Sequence, residues 1–224
     1  RSSPTQVGSL TDWANVTTVA RSCGAVKTDG TLWFWGEGAY GCSGKGESPD
    51  IDYSSPVQVG SLTNWSKIYG GSLWFFGIKT DGTMWSWGNN SQGQLGLGDR
   101  IHRSSPVQVG SLTNWASADG GGQFSAFLKT DGTIWTVGLN FGMLGDGTTI
   151  HRSSPIQMGS ATNWTKVPTG GYCCLAINDA GELWTWGRNQ EGNMGLGEGG
   201  DERLSSPVQV GSLATWVDVA TGGT

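Results

Sequence analysis

One string, Ser-Ser-Pro-x-Gln-x-Gly, recurs five times along this chain, with its proline at Pro4, Pro56, Pro106, Pro155 and Pro207. A tryptophan follows nine residues after every one of these prolines, at Trp13, Trp65, Trp115, Trp164 and Trp216. From each of the first four prolines the distance to a later glycine (Gly36, Gly88, Gly138, Gly187) is 32 residues, whereas the connection from that glycine to the next proline runs 20, 18, 17 and 20 residues. A frame of fixed length with one variable loop, repeated about every fifty residues, marks an array of supersecondary units that bury their apolar faces against one another.

Within a unit four short β-rich segments are separated by glycine. We label them D (Pro-Val-Gln-Val), A (from the tryptophan), B (Ala-Phe-Leu-Lys in the third unit) and C (Thr-x-Trp-x-Trp). Between B and C stands Thr-Asp-Gly-Thr, as at Thr80 to Thr83, which predicts a tight two-residue hairpin turn. The fourth unit keeps the glycine, Gly181, but moves the aspartate to Asp179. In strand C, Trp33 and Trp35, Trp85 and Trp87, Trp135 and Val137, and Trp184 and Trp186 are two apart and share a face. The other face carries Leu32, Phe34, Met84 and Ile134, so each sheet is packed on both sides. With 39 glycines and 13 tryptophans, long helices are excluded, because glycine at this density costs each helix about 1 kcal/mol per interior position. The expected fold is all-β: a β-propeller of four-stranded antiparallel blades, about 50 residues per repeat.

The stretch from Trp85 to Asp99, Trp-Ser-Trp-Gly-Asn-Asn-Ser-Gln-Gly-Gln-Leu-Gly-Leu-Gly-Asp, with Lys-Thr-Asp-Gly before it and a proline downstream, resembles the regulator of chromosome condensation repeat. The resemblance runs through the whole chain. It implies a β-propeller, with seven blades in well-known members, and it implies little about function, since the family spans guanine-nucleotide exchange factors, enzyme inhibitors, photoreceptors and many bacterial and phage proteins. Family repeats commonly carry histidine in the column that here reads Ser22, Trp74, Phe124 and Cys173. The near-identical text of the second and third units resembles bacterial or phage members. We read residues 1–224 as a single repeat domain with units starting near 1, 53, 103, 152 and 204. It holds four full blades plus partial ones, opening on a D strand (Arg1 to Gly8) and closing on an A strand (Trp216 to Thr221). Seven such units need ~350 residues, so a stretch of a longer ring, or blades supplied by another chain, is expected.

No enzymatic constellation stands out, and neither a cofactor motif nor a metal-ligand spacing is present. His102 and His151 occupy one repeat position, Ile-His-Arg-Ser-Ser-Pro, which points to a frame role. Asp99, Asp146 and Asp201 lie in the C–D loops without the spacing of a calcium cage. Cys23, Cys42, Cys173 and Cys174 lack paired zinc spacing and read as small apolar filler. A net charge of -5 and a pI of 4.9 speak against a nucleic-acid partner, and no apolar run is long enough for a membrane span.

Four antiparallel strands per blade bring the A–B and C–D connections to one rim of the disc. The other rim, Asp-Gly turns and Gly-Ser-Leu-Thr-Asn-Trp, is nearly constant. On the first rim the columns vary: Thr17, Tyr69, Asp119, Pro168; Arg21, Leu73, Gln123, Tyr172; Ser22, Trp74, Phe124, Cys173. Twelve tryptophans are locked to the repeat and Trp74 is not, which singles out its aromatic cluster with Tyr69, Phe75 and Phe76. The candidate partner-binding residues are therefore Tyr69, Trp74, Phe75, Asp119, Gln123, Phe124 and Tyr172, with gap-filling between blades as the alternative for the rings. The expected function is a non-catalytic scaffold that recognises a protein or surface through this rim, in concrete form a virion or microbial cell-surface component within a larger assembly. The alternative is a regulator of an enzyme or small GTPase.

Overall fold

The structure, a computed structural model, describes residues 3, 6–9, 11–47, 51–190, 192–197 and 200–222. Among the described residues sixteen strands form four antiparallel sheets of four, each in simple sequential order. The first blade is β1 (Trp13–Val19), β2 (Ser22–Lys27), β3 (Leu32–Gly36) and β4 (Tyr53–Gln58). The second is β5 (Trp65–Gly70), β6 (Trp74–Lys79), β7 (Met84–Gly88) and β8 (Arg103–Gln108). The third is β9 (Trp115–Gly120), β10 (Phe124–Lys129), β11 (Ile134–Gly138) and β12 (Arg152–Gln157). The fourth is β13 (Trp164–Lys166), β14 (Cys173–Asn178), β15 (Leu183–Asn189) and β16 (Glu202–Gln209). The strands A to D are the four strands of each sheet in turn, so a sequence unit that starts at D gives its first strand to the sheet before it.

Successive blades meet through their inner strands, β1 against β5 and β5 against β9. The B strands β6 and β10 are buried along their whole length, as a sheet sandwiched by neighbours on both faces requires. The residues that recur in the repeat make the joints. The Trp65, Trp115, Trp164 and Trp216 amides donate to the carbonyls of Gly30, Gly82, Gly132 and Gly181, the turn glycines of the preceding blade, at 3.0–3.3 Å. The Gly46, Gly98 and Gly147 amides in the C–D loops donate to the Ser104, Ser153 and Ser205 carbonyls in the D strand of the following blade at 2.7–2.8 Å. Turn glycine, tryptophan and Ser-Ser-Pro are thus one set of interblade contacts.

Two expectations need correction. The B–C turn is not the two-residue type: the Lys79 amide donates to the Thr83 carbonyl, the Gly82 amide donates to the Lys79 carbonyl, and only the glycine has positive φ (+77°). That is a three-residue turn with a glycine bulge, and the aspartate has another task. Asp81 Oδ1 accepts from the Thr83 amide and hydroxyl at 2.9 and 2.7 Å, and the Thr83 hydroxyl in turn takes the Trp85 indole N–H at 3.0 Å. The same relay runs Asp29, Thr31, Trp33 and Asp131, Thr133, Trp135. In the fourth unit Glu182 replaces the threonine, and the Trp184 indole N–H is buried without a partner.

The second correction concerns the ends. Of the expected opening D strand, Arg1, Ser2, Pro4 and Thr5 lie outside the described residues, and the described remainder is not a strand. Trp216 to Thr221 is not a strand either, although Trp216 makes its repeat-specific bond to Gly181.

The turn glycine carries both a conformational and a contact constraint. A Cβ on Gly82 would stand 1.9 Å from the Thr113 carbonyl oxygen of the next blade, whereas one on Gly110 (φ +58°) meets nothing within 4 Å. Gly110→Ala is expected to cost about 1 kcal/mol from φ alone, and Gly82→Ala at least ~3 kcal/mol, with the difference read in urea unfolding midpoints.

Candidate functional site: the A–B and C–D rim and the channel mouth

The A–B corners of all four blades gather around the channel, as the strand order dictates. There they enclose a cleft of about 490 Å³ lined by Thr18 to Ala20, Gly70 to Ser72, Asp119 to Gly122, Pro168 to Gly171 and Val219 to Thr221. The glycines permit the close approach. A Cβ on Gly120 would lie 2.4 Å from the Cα of Gly71, and one on Gly122 would lie 2.6 Å from the Gly171 carbonyl oxygen. The Gly122 amide donates to that carbonyl at 3.1 Å, and the Ala20 amide makes the matching bond to Ser72 in the first blade. Val19 and Ala20 thus replace the Gly-Gly pair there without loss of the joint.

The predicted residues separate into three groups. Trp74, Phe75 and Phe124 are 1%, 0% and 0% exposed, so they are interior packing rather than a presented surface. Trp74 sits under Gly71, whose missing Cβ would be 2.1 Å from the indole, and its N–H donates to Ser125 Oγ of the next blade at 3.1 Å. Ser125 passes a hydrogen bond to the Gln94 carbonyl at 3.1 Å. Phe124 lies under Gly121 in the same way. In this column Trp74 and Phe124 are plugs between blades, and the glycines that precede them are the sequence signal for that role. Phe75 stacks on Trp87 at 5.8 Å.

Gln123 and Tyr172 form the second group and are exposed at the A–B corners. Exposed beside them on the C–D loops, and missed by sequence reasoning, are Tyr40, Ile101, Phe141 and Ile150. Tyr40 packs on His102 at 5.1 Å and Phe141 on His151 at 5.4 Å. Both histidines have the frame role expected of them, since their Nδ1 atoms accept from the Asn90 and Asn140 amides at 2.9 and 2.8 Å. Asp99, Asp146 and Asp201 pair with Arg103, Arg152 and Arg188, which pins the loops.

Tyr69 and Asp119, on the inner strands, make up the third group. The Tyr69 hydroxyl donates to the Ala116 carbonyl at 3.4 Å, and burial, with the Asp119 charge second, pushes it up to about 12. Asp119 reaches across to the fourth blade: Oδ2 accepts from the Thr169 amide at 2.7 Å and Oδ1 from its own neighbour Gly120 at 3.1 Å. Burial dominates these bonds and pushes its carboxyl up to about 6. The Thr169 hydroxyl stands near enough to favour the ionised carboxylate, yet it makes no hydrogen bond of ordinary geometry.

The chain can be placed among known proteins on this geometry. The family model "Regulator of chromosome condensation (RCC1) repeat" matches residues 81–128 and 180–224. Those two segments carry RCC1 repeats. The ultraviolet-B receptor UVR8 of Arabidopsis thaliana is 33% identical over 105 residues, 44% of this chain and 23% of the relative. Among solved structures, human WBSCR16 has a TM-score of 0.84 at 23% identity, covering 98% of this chain and 58% of that one. Prp20p of Saccharomyces cerevisiae has a TM-score of 0.83 at 20% identity, covering 94% and 54%. The chain therefore spans less than a quarter of that curated relative's length and little more than half of these structures, and the likeness to the structures establishes the RCC1-type propeller fold. No helix among the described residues is long and apolar enough to cross a membrane.

Two outcomes follow. Trp74→Ala should cost about 3–5 kcal/mol of stability in thermal or denaturant unfolding, with Trp74→Phe, the side chain of the third RCC1 repeat, costing less. Asp119 takes up its proton more readily folded than unfolded, so its contribution favours the fold at low pH and is lost as pH rises from about 4 through about 6. Asp119→Asn should remove that step from a plot of stability against pH.

Proposed function

We propose that this RCC1-repeat chain is a non-catalytic scaffold that recognises a protein partner through the rim of A–B corners and C–D loops. The observation that carries this reading is the set of exposed apolar side chains on that rim, Tyr40, Ile101, Phe141, Ile150 and Tyr172. Exposed aromatics held by a rigid frame are the usual anchors of interfaces, and loops on a scaffold are the usual place for recognition. The loops beneath are fixed by Asn90 and Asn140, each buried and bonded to several main-chain groups, so little ordering entropy is lost on binding. Gln123 and Tyr172 are the sequence candidates that remain on this surface, with Asp119 and Tyr69 behind them at the channel.

Two more specific versions differ in the partner. Prp20p, whose structure is described together with binding to Gsp1p and histones, supports a regulator that acts on another protein. The near-identical second and third units are the support for a virion or cell-surface component. Site-specific photo-crosslinkers at Phe141 and Tyr172, and at Leu112 on the opposite rim as control, test the reading in native cells. A discrete adduct from the first two positions and none from the third is expected, and the adduct's identity chooses between the versions. Adducts only from Leu112 would place recognition on the other rim.

A further inference from the structure

The cleft at the channel mouth has a chemistry that the rim loops do not share, and it stands independently of the rim reading. Its walls are largely main chain, because the glycines at 70–71, 120–122 and 170–171 leave no side chains to fill it. Among the described residues Asp119 is the one ionisable side chain that lines it. Each carboxylate oxygen holds one amide, which leaves lone pairs on both. Among the described residues no lysine or arginine forms an ion pair with it. The titratable groups that feel its charge are the Tyr69 phenol and the Cys174 thiol, both held in their neutral forms by burial. Beside it the Thr169 hydroxyl, in a side chain 7% exposed, stands near the carboxylate and makes no hydrogen bond of ordinary geometry. A buried negative charge without a counter-ion is a costly arrangement that a cationic ligand relieves.

We propose that the channel mouth binds an alkylammonium group, seated against the Asp119 carboxylate with the Thr169 hydroxyl as a second acceptor. Thr169 itself lines the cleft. The shape of the charge selects the ligand. A hard divalent ion takes six or more oxygens, commonly from several carboxylates, and no cluster of three ligating side chains exists among the described residues. A guanidinium is best held by two free carboxylate oxygens side by side, and here each oxygen already holds an amide. An ammonium is a compact point charge with three donors, and it matches one carboxylate, one hydroxyl and a glycine-lined wall.

The test is a ¹H–¹⁵N NMR titration of the whole chain at pH 7.5 with n-butylammonium and, separately, Nα-acetyl-lysine methylamide, with n-butanol as the uncharged control. Saturable shifts centred on Gly120, Gly121, Gly122 and Thr169 are expected from both amines and not from the alcohol. Roughly ten-fold tighter binding of the lysine derivative would identify a protein side chain as the source, and equal binding a free amine. Asp119→Asn, which keeps the Thr169 amide bond, should abolish the shifts while retaining native dispersion. Lowering the pH to about 5, which protonates the carboxyl of the unaltered protein, should weaken binding roughly ten-fold without any substitution. No saturable shift from either amine, shifts that persist in a folded Asp119→Asn protein, or binding indifferent to this pH change would each overturn the proposal.

Discussion

Each blade is fastened to the next by main-chain hydrogen bonds that the repeat supplies at fixed positions, and the rest of the structure depends on them. An inner-strand tryptophan amide reaches back to the turn glycine of the blade before it, and a loop glycine amide reaches forward to the serine carbonyl of the next outer strand. A sheet packed on both faces has no room for a change of spacing between these points. This is why the distance from proline to the last glycine is constant at 32 residues while the C–D connection varies. Stability in such an array is a sum over blades and joints, so a defect in one joint is local.

The architecture was legible because it depends on period and on glycine. Alternation in strand C, the four segments per unit and the repeat length lead to four antiparallel sheets, and the structure has them. What sequence reasoning misjudged was depth. Trp74 departs from the repeat, and departure from a frame looks like function when burial is unknown. The same residue is a plug whose size answers to Gly71 and to Gly120. The indole fits because two Cβ atoms are missing, so the exception in one column compensates for an excess of space made by others. Conversely Phe141 and Tyr40 belong to the loop in which sequence reasoning weighed the aspartates and the variable length, and no spacing rule separates an exposed loop aromatic from a buried one.

The aspartate of the B–C turn was also only half read. Its service is to the strand that follows: it orders a threonine hydroxyl that receives the indole of the first strand-C tryptophan. Above that indole, Lys79 lies 3.7 Å from the Trp85 ring centroid and 5.0 Å from Trp65, a buried cation held between two rings. The fourth repeat shows what survives without these parts. Asn178 replaces the lysine and Glu182 the threonine, the two side chains bond to each other, and the indole is left unpaired. The sheet still forms, because the turn glycine and the apolar faces suffice for it. The relay refines a blade that packing already specifies.

Asp119 is the point at which symmetry and stability part company. Thr17, Tyr69 and Pro168 occupy the same column in the other blades, and none of them places a charge at the channel. Each of the three is compatible with the close approach of the inner strands, so packing alone does not call for a carboxylate there. Desolvation disfavours its ionised form more than two amide hydrogen bonds restore, which makes it a net cost to the folded chain at neutral pH. A repeated scaffold offers many neutral solutions at such a position. The use of the one costly solution, facing a cleft that seven glycines keep open, is better explained by what enters the cleft than by what surrounds it.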